Sequence, residues 1–209
     1  MLNSIQIQLD EVIAGVRQVS IDIKDDDGVV VGVLQPLTME HLGNENIIKM
    51  LTDWRNQNME NFLTQFIATP ERTRQWMQDV LFQARGQILF LVYAQNNLIG
   101  HFGFKNLTSK SVLLDNAIRG ERIGHPKLFV FAGKALVRWL QVNALVKTVY
   151  GEVMTNNIAS IMMNKQIGFS GWKRHPLVKV VSGTETCWEL GAEGNLSPDG
   201  KYCFKLLIE

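Results

Sequence analysis

The chain has 209 residues, of which 46% are hydrophobic, and its 21 basic and 20 acidic side chains give a net charge of +1. This length and apolar content suffice for a full core, which excludes an intrinsically disordered protein. The near-zero charge gives no reason to expect nucleic-acid binding, and apolar runs such as residues 88–94 are far too short to span a bilayer.

The first thirty residues predict a β-hairpin. Residues 18–23 alternate polar and apolar side chains, a turn signal rich in aspartate follows, and residues 29–34 are mostly apolar. We interpret residues 1–30 as an N-terminal hairpin extension and residues 31–209 as one domain.

Two helices are expected next. Apolar side chains at helical spacing mark residues 39–58. Pro70 stands at the start of a second helix over residues 71–84, and Gly86 follows its end.

The rest of the chain predicts further strands and helices, with Asn96 and Asn97 as a two-residue turn between the first two strands. In chain order these elements are three strands, a helix, a strand, a helix and three strands, over residues 88–94, 98–106, 111–118, 127–143, 146–153, 158–167, 172–181, 184–190 and 202–208. This order predicts an α/β (α+β) fold with a mixed, mostly antiparallel sheet and one helix crossover.

The N-terminus and the cysteines predict a cytoplasmic protein without membrane contact. Asp10 and Glu11 lie where a secretory signal would need a basic start and an apolar block. Cys187 and Cys203 lack the spacing of a metal site, so we expect two free thiols and no bound metal, with a disulfide as the alternative. The aspartates at residues 25–27 are expected in a solvated turn, because a calcium loop needs more ligands.

Residues 150–169 carry the most specific motif. A predicted strand leads into Thr155-Asn156-Asn157, and a helix of about three turns then ends at Gly168-Phe169. Asparagine at a helix start offers an acceptor to unpaired amides, and a terminal glycine permits a left-handed cap. The strand, the Asn-x-x-Ser helix start and the Gly-Phe end resemble the cofactor site of the GNAT superfamily of acyl-CoA N-acetyltransferases. This resemblance implies that Asn157 bonds the pantetheine arm of acetyl-CoA, with Ser160 one turn on.

The loop before the long helix is the second part of the resemblance. Glycines and a helix N-terminus gather amide donors that suit a phosphate, and Arg119, Arg122 and Lys127 add positive charge. The loop is similar to the GNAT pyrophosphate motif, Gln/Arg-x-x-Gly-x-Gly/Ala, although Arg122 occupies the place of the middle glycine. Gly120 and Gly124 complete the segment that we expect to hold the cofactor. A glycine-containing surface connection is the alternative for this loop alone.

The resemblance implies a sheet splayed between two central strands, over residues 111–118 and 146–153. Backbone amides at Ala117 and Ile118 would then polarise the thioester carbonyl of acetyl-CoA. A tyrosine of the last helix protonates the leaving thiolate in many GNAT enzymes, and that position falls on Asn164, which cannot act as an acid.

The general base is open among four residues, of which Asp115 is preferred. One of them, His125, lies beside the phosphate loop and has helix capping as its structural alternative. Asp115 lies late in one central strand, Glu152 ends its neighbour, and His101 lies on the preceding strand. Each has a structural alternative: a turn hydrogen bond for Asp115, a solvated strand end for Glu152 and a satisfied strand histidine for His101.

Residues 54–56, Trp-Arg-Asn, resemble a segment that lines the acceptor side in many family members. The resemblance implies that Arg55 and Asn56 touch the substrate. A core tryptophan beside a surface arginine is the equally weighted alternative.

The resemblance covers about residues 31–190 and implies direct acetyl transfer from acetyl-CoA to a small primary amine. Residues 115–120, Asp-Asn-Ala-Ile-Arg-Gly, are similar to a segment of GNAT members in bacterial sugar and surface-polysaccharide pathways, which favours an amino sugar carried on a nucleotide. A ribosomal-protein or other peptide N-terminus is the second acceptor class. A non-catalytic CoA-binding module is the alternative function, and a homodimer is one expectation for the assembly.

Overall fold

The computed structural model describes residues 2–209, with side chains described from Ile5 onward. In this part of the chain the α-helices are Leu2–Ile13 (α1), Glu45–Gln57 (α2), Pro70–Trp76 (α3), Leu128–Asn143 (α4) and Ile158–Ile167 (α5). The strands are Ile21–Lys24 (β1), Val30–Pro36 (β2), Thr64–Gln65 (β3), Ile88–Ala94 (β4), Asn97–Lys105 (β5), Ser111–Arg119 (β6), Thr148–Met154 (β7), Ser170–Ser182 (β8), Glu185–Leu190 (β9) and Tyr202–Ile208 (β10).

The strands form one sheet in the order β1-β2-β4-β5-β6-β7-β10-β8-β9-β3. All of the described strand pairs are antiparallel except β6 with β7, where the chain crosses over through α4. The mixed, mostly antiparallel sheet that the sequence predicts is therefore confirmed. None of the described helices has the length and apolar character that a membrane crossing requires.

Strand β5 shows how helices cover both faces of the sheet. Phe102 stacks on Phe129 of α4 with ring centroids 6.3 Å apart. His101, the preceding residue, lies 6.3 Å from the ring of Trp54 on α2. Because successive strand residues point to opposite faces, α2 and α4 cover opposite sides of the sheet.

The predicted hairpin is confirmed, since β1 and β2 pair from Ile21 with Leu34 to Lys24 with Val30. Strand β2 continues this pairing onto β4, so the hairpin extends the main sheet. The division of the chain at residue 30 stays a prediction.

Helix α1 is a feature that the sequence interpretation missed. Its buried side chains, Ile5, Leu9, Val12 and Ile13, recur at helical spacing. This periodicity was available in the sequence, but no capping residue or proline marked the start of the helix.

Three predicted elements differ locally from the structure. The helix predicted over residues 39–58 is divided at Asn44 into a 3₁₀ turn, Met39–Gly43, and α2. The turn between β4 and β5 lies one residue earlier than predicted, because Asn97 pairs with Ala94 and the positive φ angles fall on Gln95 (50°) and Asn96 (63°). The helix predicted over residues 71–84 ends at Trp76 and continues as a wider π-turn, Met77–Leu81. The wider turn advances each residue by a smaller angle, which places Met77, Leu81 and Phe82 together in the core.

The last strand lies inside the sheet. Strand β10 pairs with β7 on one side and with β8 on the other, although residues 191–209 fall outside the segment that carries the sequence resemblance. It thereby fixes the outer edge of β7, beside the opening described below.

Candidate functional site

The central opening of the sheet lies between β6 and β7. These strands pair only from Ser111 with Thr148 to Leu113 with Tyr150. Beyond this point β6 stays paired with β5, and β7 stays paired with β10 as far as Met154. The facing edges of β6 and β7 therefore present backbone donors and acceptors that no longer pair across the opening. The predicted splay between the two central strands is confirmed.

A cavity of about 870 Å³ occupies this opening and continues along the sheet face that carries α2. Ten of the site residues that the sequence singled out line it: Arg55, His101, Asp115, Ala117, Ile118, Arg119, Lys127, Glu152, Asn157 and Ser160. Four others, Asn56, Gly120, Arg122 and Gly124, lie outside its wall. The structure thus brings Asp115, Glu152, His101 and some residues of both cofactor motifs to one cavity, whereas His125 lies outside its wall.

A β-bulge shapes the middle of β6. His101 pairs with Ile118 and Gly103 with Asp115, so β6 has one more residue than β5 in this interval. Asn116 adopts a left-handed conformation with φ of 54°. The bulge reorients the end of β6 next to the opening, as bulges near functional sites commonly do.

His101 holds this bulge from the neighbouring strand. Its Nδ1–H donates to the Asn116 carbonyl at 2.7 Å, and since a carbonyl only accepts, Nδ1 must carry the proton. Burial lowers the pKa of His101 to about 4, which keeps the ring neutral at pH 7. The lone pair of the neutral ring is then on Nε2.

The two carboxylates of the cavity are each paired with a lysine. Lys105 Nζ lies 2.9 Å from Asp115 Oδ2, and the Asn116 side chain also donates to that oxygen at 3.1 Å. Lys205 Nζ lies 3.5 Å from Glu152 Oε1 on the other wall. Oδ1 of Asp115 has no hydrogen-bond donor among the described residues, so it is the freer of the two oxygens of this carboxylate.

Arg119 stabilises the loop before α4. Its guanidinium donates to the carbonyls of Glu121, Ile123 and Pro126, at 3.2, 3.0 and 2.7 Å. Burial, and then the neighbouring Arg122, lowers the pKa of Arg119. The sequence predicted a contact with phosphate for this side chain, and that role stays a prediction, because three of its N–H groups already bond the loop.

The backbone of the same loop leads directly into α4, which begins at Leu128. Lys127 N–H donates to His125 Nδ1 at 3.1 Å, and no described side chain caps the start of α4. Within the described chain, the amides of residues 122–125 donate to no protein acceptor. Free amides beside a helix N-terminus and Lys127 are suited to an anion such as a diphosphate.

Asn157 caps α5 at the opposite side of the cavity. Its Oδ1 accepts from Ser160 N–H at 3.1 Å, and Gly168 closes the helix with φ of 118°. Asn164 lines the same cavity and donates from Nδ2 to the Ser160 carbonyl at 2.8 Å. No tyrosine belongs to the cavity wall of the described chain.

We expect substitutions of Asn157 to separate its capping role from the contact with acetyl-CoA that the sequence resemblance implies. Asn157→Ala should lower the free energy of unfolding by about 1 kcal/mol, because α5 loses its cap. Asn157→Asp keeps the capping oxygen but removes the amide donor. It should leave the stability unchanged and weaken CoA binding roughly 5- to 10-fold. Denaturant unfolding and calorimetry check both values, and wild-type CoA affinity in Asn157→Asp would exclude the proposed contact.

The far end of the cavity is formed by Arg55 and the segment between α2 and α3. Phe62 and Phe66 from this segment line the cavity and pack on the Arg55 guanidinium, whose carbon lies 3.9 and 4.8 Å from their ring centroids. Asn56 exchanges two hydrogen bonds with the backbone of Ala68, at 3.0 and 2.8 Å, and so fixes the end of the segment. Its predicted contact with substrate stays a prediction.

Sequence reasoning missed this aromatic wall. Phe62 and Phe66 belong to a stretch with no clear strand or helix pattern, and their position depends on β3 pairing with β9 over only two residues, Thr64 and Gln65. That pairing joins segments more than a hundred residues apart in the chain, so nothing in the local sequence indicates it.

The two cysteines are free thiols away from the cavity wall. Burial, and then the nearby Glu152, raises the pKa of the Cys203 thiol to about 12. Between residues 5 and 209 no three His, Cys, Asp or Glu side chains lie close enough to form a metal site.

The sequence matches no family model, and none of the curated proteins. The fold, by contrast, is similar to solved acetyltransferase structures. A GNAT-family acetyltransferase from Bacillus anthracis has 13% identity and a TM-score of 0.61, with 91% of this chain and 98% of that chain covered. An acetyltransferase from Salmonella typhimurium that modifies the N-terminal serine of 50S ribosomal protein L7/L12 has 13% identity and a TM-score of 0.62, with coverage of 91% and 100%.

A third structure is an N-acetyltransferase, PseH from Campylobacter jejuni, in complex with acetyl coenzyme A. It has 14% identity and a TM-score of 0.53, with 86% of this chain and 99% of that chain covered. At this level of identity the comparison concerns the fold alone. It agrees with the bulged β6, the divergent β7 and the capped α5, which meet at one cavity. We conclude that this chain has the fold of the GNAT acetyltransferases.

Proposed function

We propose that this protein is an N-acetyltransferase that moves an acetyl group from acetyl-CoA to a primary amine by direct attack in a ternary complex. The observation that carries the proposal is the divergence of β6 from β7 beyond Leu113 and Tyr150 into a cavity that reaches from the α4 loop to Arg55. An extended thioester enters from the loop side, and the acceptor occupies the aromatic side.

The residues at the loop side fit acetyl-CoA. The free amides of residues 122–125, the N-terminus of α4 and Lys127 would hold the diphosphate. The exposed edges of β6 and β7 suit the amide-containing pantetheine arm, beside Asn157 and Ser160. When bound, acetyl-CoA supplies an activated thioester.

Amide formation requires a neutral amine nitrogen at the acetyl carbonyl carbon, loss of one amine proton and departure of the thiolate. Backbone amides at Ala117 and Ile118, next to the bulge, would polarise the carbonyl. We assign proton removal to Asp115, because it lines the cavity and its Oδ1 is free of protein donors. Glu152 and the neutral ring of His101 are the alternative bases.

The leaving thiolate must take its proton from water or from the base, since Asn164 occupies the position of the family's tyrosine. Cys187 and Cys203 lie outside the cavity wall, which favours direct attack over an acyl-cysteine route. Their free thiols are consistent with the reducing cytoplasm that we propose as the compartment.

Two acceptor classes are supported. A nucleotide-linked amino sugar is the preferred one, from the residue 115–120 segment. A peptide N-terminus is the alternative, from the likeness to the acetyltransferase that acts on L7/L12. A CoA-binding module without catalysis is the alternative function, favoured by Asn164 and by Arg122 in place of a glycine.

Thiol release from acetyl-CoA, measured with nucleotide-linked amino sugars and with peptides that have a free N-terminus, tests this proposal. Turnover with either class supports the enzyme, whereas CoA binding without turnover across both supports the binding module. Asp115→Asn should lower kcat by roughly 10²- to 10⁴-fold, because it removes the base. The matched change Glu152→Gln should lower kcat far less, and the reverse order would assign the base to Glu152.

A further inference from the structure

The most unusual charge of the cavity is the guanidinium of Arg55. It donates from Nη2 to the Thr64 carbonyl, while Nη1 is buried and has no hydrogen-bond partner. Buried polar nitrogens almost always donate a hydrogen bond. The unpaired Nη1 therefore indicates that a hydrogen-bond acceptor from outside the protein belongs at this position. The rings of Phe62 and Phe66 compensate only through cation–π contact.

The other cations at this end of the cavity already have partners. Arg72 is paired with Glu185 at 2.6 Å, and Lys105 with Asp115 at 2.9 Å. Arg55 makes no ion pair with any described carboxylate. The acceptor end therefore has one uncompensated positive charge, set between aromatic side chains.

We propose that Arg55 binds an anionic group, a carboxylate or a phosphate, on the amine acceptor, and thereby selects acidic over neutral amines. This inference rests on the proposed function, since it names the acceptor class of the same cavity. The anion on the amine would supply the hydrogen-bond acceptor that Nη1 lacks within the protein.

Access requires only a local change. Arg55 already lines the cavity, and the proposal needs only its terminal bonds to rotate so that Nη1 reaches the lumen. The rings of Phe62 and Phe66 then flank the acceptor, so an amine with a flat or apolar body next to its anion fits best. A guanidinium can bond carboxylate or phosphate with two parallel N–H groups, which lysine cannot do.

The test is calorimetric titration of paired probes into the CoA-saturated protein. The phosphate pair is glucosamine-6-phosphate against glucosamine, and the carboxylate pair is the dipeptide amide Ser-Asp against Ser-Asn. We expect at least one anionic probe to bind roughly 10- to 100-fold more tightly than its neutral partner. The pair that shows the preference identifies the anion.

Variants then locate this preference. Arg55→Gln should abolish it, and Arg55→Lys should keep only a small part of it. Arg138→Gln removes an exposed arginine of α4 and should bind every probe like the wild type. Thermal melting checks the folding of each variant, and the wild-type probe comparison holds even if Arg55→Gln does not fold.

The inference is wrong if neither anionic probe binds more tightly than its neutral partner in the wild type, or if Arg55→Gln keeps the preference. Failure of the proposed function has a different signature, because it is read from thiol release and from CoA binding without any acceptor. Equal turnover of acidic and neutral amines would leave the acetyltransferase intact and remove the role of Arg55.

Discussion

Gly120→Ala should destabilise the protein by about 3 kcal/mol or more and weaken its binding of CoA. A Cβ at residue 120 would lie 1.9 Å from Cε2 of Trp54 and 2.1 Å from its Nε1. The Trp54 ring is 2% exposed, packed in the core, and cannot move aside without displacing α2. Gly120 therefore permits α2 to pack on the start of the α4 loop, and its replacement should shift the loop that we expect to hold the diphosphate.

Gly43 provides the matched control for this change. A Cβ there has nothing within 4 Å and the backbone has no positive φ, so Gly43→Ala should be neutral or slightly stabilising. Urea unfolding of the two variants measures their free energies of unfolding. Calorimetric titration with CoA measures whether the loop still binds the cofactor. A Gly120→Ala protein with the unfolding midpoint and CoA affinity of the wild type would contradict the packing of Trp54 on this loop.

His101 should make stability fall as the solution is acidified. Its pKa is about 4 in the folded protein against 6.5 in an ordinary environment, because burial disfavours the charged ring. Between these two values the unfolded chain binds a proton that the folded one does not. The resulting stabilisation is complete above about pH 6.5 and is lost as the pH falls toward 4, by roughly 3 kcal/mol in total.

His101→Asn tests this pH dependence, because its amide can still donate to the Asn116 carbonyl but cannot ionise. Free energies of unfolding should be measured for both proteins at pH 7 and near pH 4.5. We expect the wild type to lose about 2 to 3 kcal/mol more than the variant over this interval. Parallel losses in the two proteins would show that His101 is not held neutral.

Local signals were sufficient to predict the elements around the cofactor side of the site. Helix α5 runs over the predicted residues 158–167, because Asn157 caps its start and Gly168 ends it with a left-handed residue. The opening between β6 and β7 also agrees with the expectation from the family resemblance. These features depend on neighbouring residues or on a short motif, which a sequence displays directly.

Long-range contacts account for what the sequence did not indicate. The position of the aromatic wall, Phe62 and Phe66, depends on the pairing of two residues of β3 with β9. The three hydrogen bonds from Arg119 to backbone carbonyls depend on the conformation of its loop. The sequence of a glycine-containing loop does not indicate that a basic side chain bonds the loop backbone. The bulge at Asn116 is visible only once β5 and β6 are in register.

Calorimetric titration of the wild type with CoA and with acetyl-CoA tests the central claim most directly, that the divergence of β6 and β7 forms a cofactor site. The account predicts saturable binding of both at one site per chain, weakened in Gly120→Ala and retained in Gly43→Ala. Absence of binding heat with either compound, in a folded wild-type protein and at more than one temperature, would contradict it.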